Sequence, residues 1–166
     1  MRLPLPAVLA LLLVVLPACS DDTGASNDAA SDQTTIPFEK EGRLAFVQDG
    51  DTLVALDIEV ADTDSARERG MMQRDGFPSE RSGMLFPFSE EKTRSFWMAN
   101  TPLALDLFFL NADSRVVRIK KYAQPNSASS IPSKAPAQYV LETGAGVADS
   151  YGIVEGARAR WRRTDE

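Results

Sequence analysis

Between residues 53 and 61 apolar and polar side chains alternate: Val54, Leu56, Ile58 and Val60 are separated by Ala55, Asp57 and Glu59. A period of two places the four apolar residues on one face of a β-strand, with that face turned to a core. Residues 43–48 read as a strand just before it. Past Ala61 the period breaks. Asp62 or Thr63 offers a helix N-cap, followed by Asp64, Ala66, Arg67, Glu68 and Arg69. Acidic residues lead and arginines follow, which complements the helix dipole, and Gly70 marks the end of this short helix.

Residues 84–88 (MLFPF) and 95–98 (SFWM) read as short, well-buried strands, with Asn100-Thr101-Pro102 as punctuation before the next. Residues 105–110 are apolar apart from Asp106, and residues 111–114 look like a hairpin loop into a strand over 115–121. A stretch holding Pro125, Pro132 and Pro136 reads as a long loop before a strand over 139–142. Residues 146–151 suit a turn or two of helix, and 158–161 a closing strand. The pattern predicts an α+β fold, mostly β: a single compact domain of short, largely antiparallel strands with about two short helices.

The chain starts differently. Arg2 is followed by an apolar run from residue 3 to 16 that ends in Leu16-Pro17-Ala18-Cys19. A basic start, a short apolar core and small residues before a cut describe a secretory signal over 1–18. Crossing a bilayer takes about 20 apolar residues in a helix, so the run is too short to span. Cys19 is the sole cysteine and stands where a lipobox requires it, so it is expected to carry a thioether-linked diacylglycerol. The plainer alternative is an ordinary signal with an incidental cysteine, but a free thiol is a liability in an oxidising compartment. Several acyl chains, at about 0.8 kcal/mol per buried methylene, make a stable anchor. Residues 20–35 hold four aspartates and no basic or aromatic residue, so with Cys19 they form a lipidated, disordered acidic tether over 19–35. The globular domain is expected over 36–166.

Charge narrows the partners. The whole chain has a net charge of −6, and removal of Arg2 with the signal makes it −7. Residues 36–166 hold 17 Lys and Arg against 20 Asp and Glu, a net −3. A mildly acidic domain does not suggest nucleic acid. The expected partners are a membrane, through the lipid on Cys19, and an envelope ligand or protein of unknown identity.

The segments ARERGMMQR (66–74), SGMLFPF (82–88), FWMANTPLALDLFF (96–109), YVLETGAG (139–146) and YGIVEG (151–156) occur in one order. Together they resemble the DUF192 family, also called UPF0127, over roughly residues 53–160. Members commonly pair an export signal with one small domain. The departures are minor: Gly70-Met71-Met72 stands where relatives usually have Gly-Leu-Met, a volume-conserving swap, and Ser114 stands where many have glycine. The resemblance implies no activity, because the family is uncharacterised.

The side chains limit the chemistry. There is no histidine, and a lipidated Cys19 leaves no thiolate. That removes Ser-His-Asp and Cys-His nucleophilic schemes and ordinary zinc sites, so no catalytic residue, metal or cofactor is expected. Met71, Met72, Met84 and Met98 fall within 28 residues. Thioethers favour Cu(I), but beside Phe86, Phe88, Phe96 and Trp97 core filling is favoured. Arg67, Arg69 and Arg74 cluster near the helix. Arginine forks bind carboxylate or phosphate, yet one of them pairing with Asp106 or Glu142 inside the domain is the favoured reading. Asp106 and Glu142 themselves could serve as a general acid–base pair. The alternative for Asp106 is a cap on the turn at Thr101-Pro102 or an arginine partner. Trp97 with Asn100 and Thr101 suits a sugar-binding groove, although burial of Trp97 in the core is favoured.

The reading that follows is a non-catalytic binding or interaction domain held at a membrane surface, its recognition site built between Arg67 and Asp106 together with Glu142. One alternative is a carboxylate-dependent hydrolase or lyase acting on an envelope polymer. Another is a structural module for a protein partner. Ser20 after the cysteine, with aspartates only from Asp21, favours the outer membrane if the host is Gram-negative.

Overall fold

The computed structural model describes residues 36–164. The expected signal over 1–18, Cys19 and the tether to residue 35 lie outside the described residues. The chain from Thr34 onward forms one compact unit. Its elements run β1 (Gly42–Gln48), β2 (Asp51–Val60), α1 (Asp64–Arg69), β3 (Ser82–Lys92), β4 (Ser95–Phe96), β5 (Leu105–Leu110), β6 (Val116–Ala123), β7 (Ile131–Pro132), β8 (Ala137–Gly144), α2 (Val147–Ser150) and β9 (Arg158–Arg163). The fold is mostly β, as the pattern of short apolar runs requires.

Seven strands make one mixed sheet in the order β6-β5-β8-β3-β2-β1-β9. Every pairing is antiparallel except β2 with β3, which run parallel. Parallel neighbours need a crossover, and α1 lies in it. The outermost strands β6 and β9 meet at one end, where Arg115 bridges Arg158 and the Val116 amide donates to Ala157. Strands β4 and β7 form a separate two-stranded piece.

Two apolar clusters cover opposite faces of the large sheet. One gathers Leu44, Phe46, Leu56, Ile58, Leu85, Phe108, Leu141 and residues of α2. The other gathers Met71, Met84, Phe86, Met98, Leu105, Leu107, Phe109 and Val140. Strand β5 serves both: Leu105, Leu107 and Phe109 face one way, Phe108 and Leu110 the other, so all six of its residues are buried. This explains its nearly unbroken apolar sequence. Met71, Met84 and Met98 fill the second cluster, in keeping with the core reading of the thioethers.

Residues 95–98 differ from expectation. Ser95 and Phe96 alone form strand β4, at the margin of the small sheet, and of the four residues only Met98 is fully buried. Trp97 is 57% exposed, not a core residue. The period of two runs on past the strand, so Phe96 and Met98 face inward and Trp97 faces out. The proline-rich stretch is not entirely a loop, since Ile131 and Pro132 pair with β4.

Candidate functional site

Helix α1 starts at Thr63, whose hydroxyl accepts from the Ala66 amide at 3.2 Å, and ends at Gly70, with φ at 49° and its amide bonded to Ala66. A left-handed φ suits glycine. A Cβ at this position would also meet the Phe86 ring at 3.3 Å and come within 3.8 Å of a Glu142 carboxyl oxygen. The helix therefore ends directly over a cleft.

The cleft has a volume of about 520 Å³. Phe86 and Phe88 from β3, Phe96 from β4 and the following Trp97 form an aromatic wall, Met71 and Met72 add thioethers, and Glu142 from β8 lies at the inner end. Phe96 organises the wall through edge-on contacts with Phe86 (5.3 Å), Phe88 (6.5 Å) and Phe109 (6.0 Å between centroids).

Three arginines sit near the rim. Arg67 is held by the carbonyls of Asp62 (2.5 Å) and Pro87 (3.1 Å) and by the Asp64 carboxylate (2.8 Å). Arg94 lies 3.5 Å over the Phe88 ring and donates to the Ala137 and Glu90 carbonyls. Desolvation, then the nearby Arg67 charge, lowers the Arg94 pKa. Arg69 lines the cleft as well.

Glu142 is 4% exposed. Burial alone pushes its carboxyl up to about 8, and no hydrogen bond or nearby charge offsets that shift. At neutral pH it is mainly a neutral acid, a hydrogen-bond donor with no acceptor from the described residues. Buried polar groups normally find partners, and an unpartnered one facing a cleft marks a place for a ligand to supply one.

Of the residues singled out in the sequence, Arg67, Arg69, Trp97, Thr101 and Glu142 line this cleft. Three do not. Arg74 is buried behind it in a two-point ion pair with Glu59, at 2.6 and 2.8 Å. The helix stops at Gly70, so Arg74 leaves the line of Arg67 and reaches β2 instead. Asn100 is exposed with φ at 54°, and its carbonyl accepts from the Gln73 amide. Asp106 is fully buried and accepts from the amides of Tyr122 (2.9 Å), Gly146 (3.0 Å) and Ala148 (3.0 Å).

These positions correct three expectations. No arginine pairs with Asp106 or Glu142, because backbone amides already satisfy the first and none of the arginines reaches the second. Asp106 does not cap the turn at Thr101-Pro102; it ties β5 to β6 and to the start of α2. Nor do the two acids form a catalytic pair. In the β5–β8 register Asp106 stands opposite Thr143 and Leu107 opposite Glu142, so the carboxyls point to opposite faces of the sheet.

Phe86, Phe88, Phe96, Gly70 and Arg94 were not foreseen as site residues. The three phenylalanines lie in apolar runs that read equally well as core, and only the register shows which turn toward the cleft; Gly70 reads only as a helix end, and Arg94 stands in a polar stretch without a signal of its own.

The family model for DUF192, described as an uncharacterized ACR, matches residues 45–161. No curated protein matches the chain. The solved structures similar to this chain include the following two. One is a candidate transcription regulator from Sinorhizobium meliloti, 34% identical, covering 76% of this chain and 96% of that one, with a TM-score of 0.71. The other is a protein of unknown function from Novosphingobium aromaticivorans, 28% identical, covering 72% and 84%, with a TM-score of 0.68.

Proposed function

The chain belongs to the DUF192 family, and from that premise we propose that its domain is a non-catalytic binding module, exported and anchored to a membrane through a lipid on Cys19, whose cleft beside α1 takes a small, largely apolar molecule. The matched region contains every residue that lines the cleft. The ligand presents a hydrogen-bond acceptor, such as a carbonyl, ether or hydroxyl oxygen, to the Glu142 carboxyl at the inner end.

The observation that carries this reading is the uncompensated Glu142. A largely desolvated acid with no partner among the described residues costs stability when it ionises, and its carboxyl is reachable from the cleft. Its neighbours are aromatic rings and thioethers that contact an apolar body well. Charge at the rim is mixed, with Arg67 and Arg69 beside Glu68 and Arg67 already paired with Asp64, so the ligand is neutral. The volume lies within the usual range for small-molecule sites, about 300–1,000 Å³. A purely structural module has no use for such a cleft.

The test is a thermal-shift screen of the mature chain against small aryl and alkyl amides, esters, alcohols and sugars, with Glu142→Leu beside the wild type. A compound that raises the Tm of the wild type and not of the variant supports the reading. Equal shifts in both proteins, or none with any compound class, would refute it.

A further inference from the structure

The mouth of the cleft beside α1 differs in kind from its inner end. Inside lie Phe86, Phe96 and Met71 with the Glu142 carboxyl. The outer lip is supplied by β4 and β7. A period of two along residues 95–97 turns Phe96 into the second cluster and leaves Ser95 and Trp97 on the other side. Ser130 stands next to Ile131, the partner of Phe96, and its hydroxyl meets that of Ser95 at 2.6 Å. Three large apolar side chains are exposed among the described residues, Trp97, Tyr122 and Val154, and of these Trp97 alone lines the cleft. A single exposed apolar residue needs no explanation. Trp97 is a different case, because it extends the contact of Phe86 with Phe96 outward to solvent.

The other free polar groups at the mouth come from α1. Glu68 and Arg69 are exposed, and neither side chain has a hydrogen bond or ion pair among the described residues. A carboxylate acceptor, a guanidinium donor and two hydroxyls that donate or accept thus share the mouth with one flat ring. No ion of a single sign matches that set. A sugar does, because it carries C–H groups on its faces and hydroxyls, both donors and acceptors, around its edge. We propose that the cleft takes a glycoside: a neutral sugar stacked on Trp97 at the mouth and bonded to the polar groups beside it, with an apolar aglycone running inward to Glu142. The indole supplies a large, rigid face for the stack while its polar edge stays wet. This rests on the small-molecule reading of the cleft given above and adds the chemistry of the ligand's outer half.

The mature chain is titrated by calorimetry with the para-acetylphenyl β-glycosides of glucose, galactose and N-acetylglucosamine, and with their shared aglycone, para-hydroxyacetophenone. The acetyl carbonyl is the acceptor for Glu142. At least one glycoside is expected to bind about tenfold tighter than the aglycone, the gain of one good aromatic contact. Trp97→Ala lowers affinity for that glycoside roughly 30-fold and for the aglycone no more than about twofold, and Trp97→Tyr, which keeps a ring, restores most of the loss. Ser95→Ala with Ser130→Ala costs the glycoside about fivefold. An aglycone that binds as tightly as every glycoside, and loses its binding in Glu142→Leu, overturns the sugar assignment and leaves the cleft reading in place. Equal losses of glycoside and aglycone in Trp97→Ala do the same, because the ring then covers the apolar half. Binding of neither compound class overturns both readings.

Discussion

Asp106 and Glu142 sit on adjacent strands, yet their side chains leave the sheet in opposite directions, because Asp106 is in register with Thr143 and Leu107 with Glu142. The offset of one residue gives the two buried acids different lives. Asp106 accepts three backbone amides and knits β5, β6 and α2 together. Glu142 faces aromatic rings and receives nothing.

Glu142 therefore weakens the fold as pH rises. Its folded pKa, about 8, is above its ordinary value of 4.5, so the folded state holds the proton more tightly. The penalty is absent below pH 4.5, grows between 4.5 and about 8, and is constant above. The slope contributed by this one group approaches about 1.4 kcal/mol per pH unit. Denaturant titrations across that range should show the slope in the wild type and lose it in Glu142→Gln.

Replacing the same acid by an apolar residue should stabilise the free domain. Glu142→Leu is expected to gain on the order of 1 kcal/mol near pH 4 and progressively more toward neutral pH as the linkage penalty grows, while the ligand-dependent rise in Tm disappears. Stability gained together with binding lost is the signature of a site maintained for a ligand.

Asp106→Asn should do the reverse. An amide cannot accept at both of its terminal atoms, so at least one of the amide donors is left facing another donor. A loss on the order of 3 kcal/mol is expected, measured by urea unfolding. Hydrogen exchange should show its largest increase at Tyr122, Gly146 and Ala148.

Arg74 and Glu59 form a buried two-point pair, and Arg74→Ala leaves the glutamate without its partner. The expected cost is about 3–5 kcal/mol. The double change Arg74→Met with Glu59→Leu should recover most of it. Because the pair lies outside the cleft, ligand affinity in the double variant should match the wild type.

Trp97 offers the opposite dissociation. Over half of it is exposed at the rim of the cleft. Trp97→Ala should change stability by no more than about 0.5 kcal/mol. If the ring covers the bound ligand, calorimetry should show a loss of about 2 kcal/mol in binding, roughly 30-fold.

What could be read from the sequence was local. Val54, Leu56, Ile58 and Val60 announced β2 by period, and Thr63 and Gly70 bounded α1 by their capping chemistry. The apolar run of residues 105–110 announced a strand, but not one buried on both faces. What escaped depends on register and on partners far along the chain. The parallel pairing of β2 with β3, the Arg74–Glu59 pair across fifteen residues, and the opposed directions of Asp106 and Glu142 all belong to this class. Trp97 stands in an apolar stretch that reads as core, yet the alternation along residues 95–98 turns it outward. Glu142 was noticed as a charge needing a partner, and the structure shows that it has none.

The meeting of β6 with β9 near Arg115 and Arg158 bears on how many copies can share a surface. A sheet recruits foreign strands through the unpaired amides and carbonyls of its borders. Here those borders close on each other at one end. Where they stay open they carry Arg118, Lys120 and Lys121 on one side and Arg160 and Arg162 on the other. Like charges on both borders oppose strand-to-strand joining between neighbours, so copies crowded at high density can remain separate molecules.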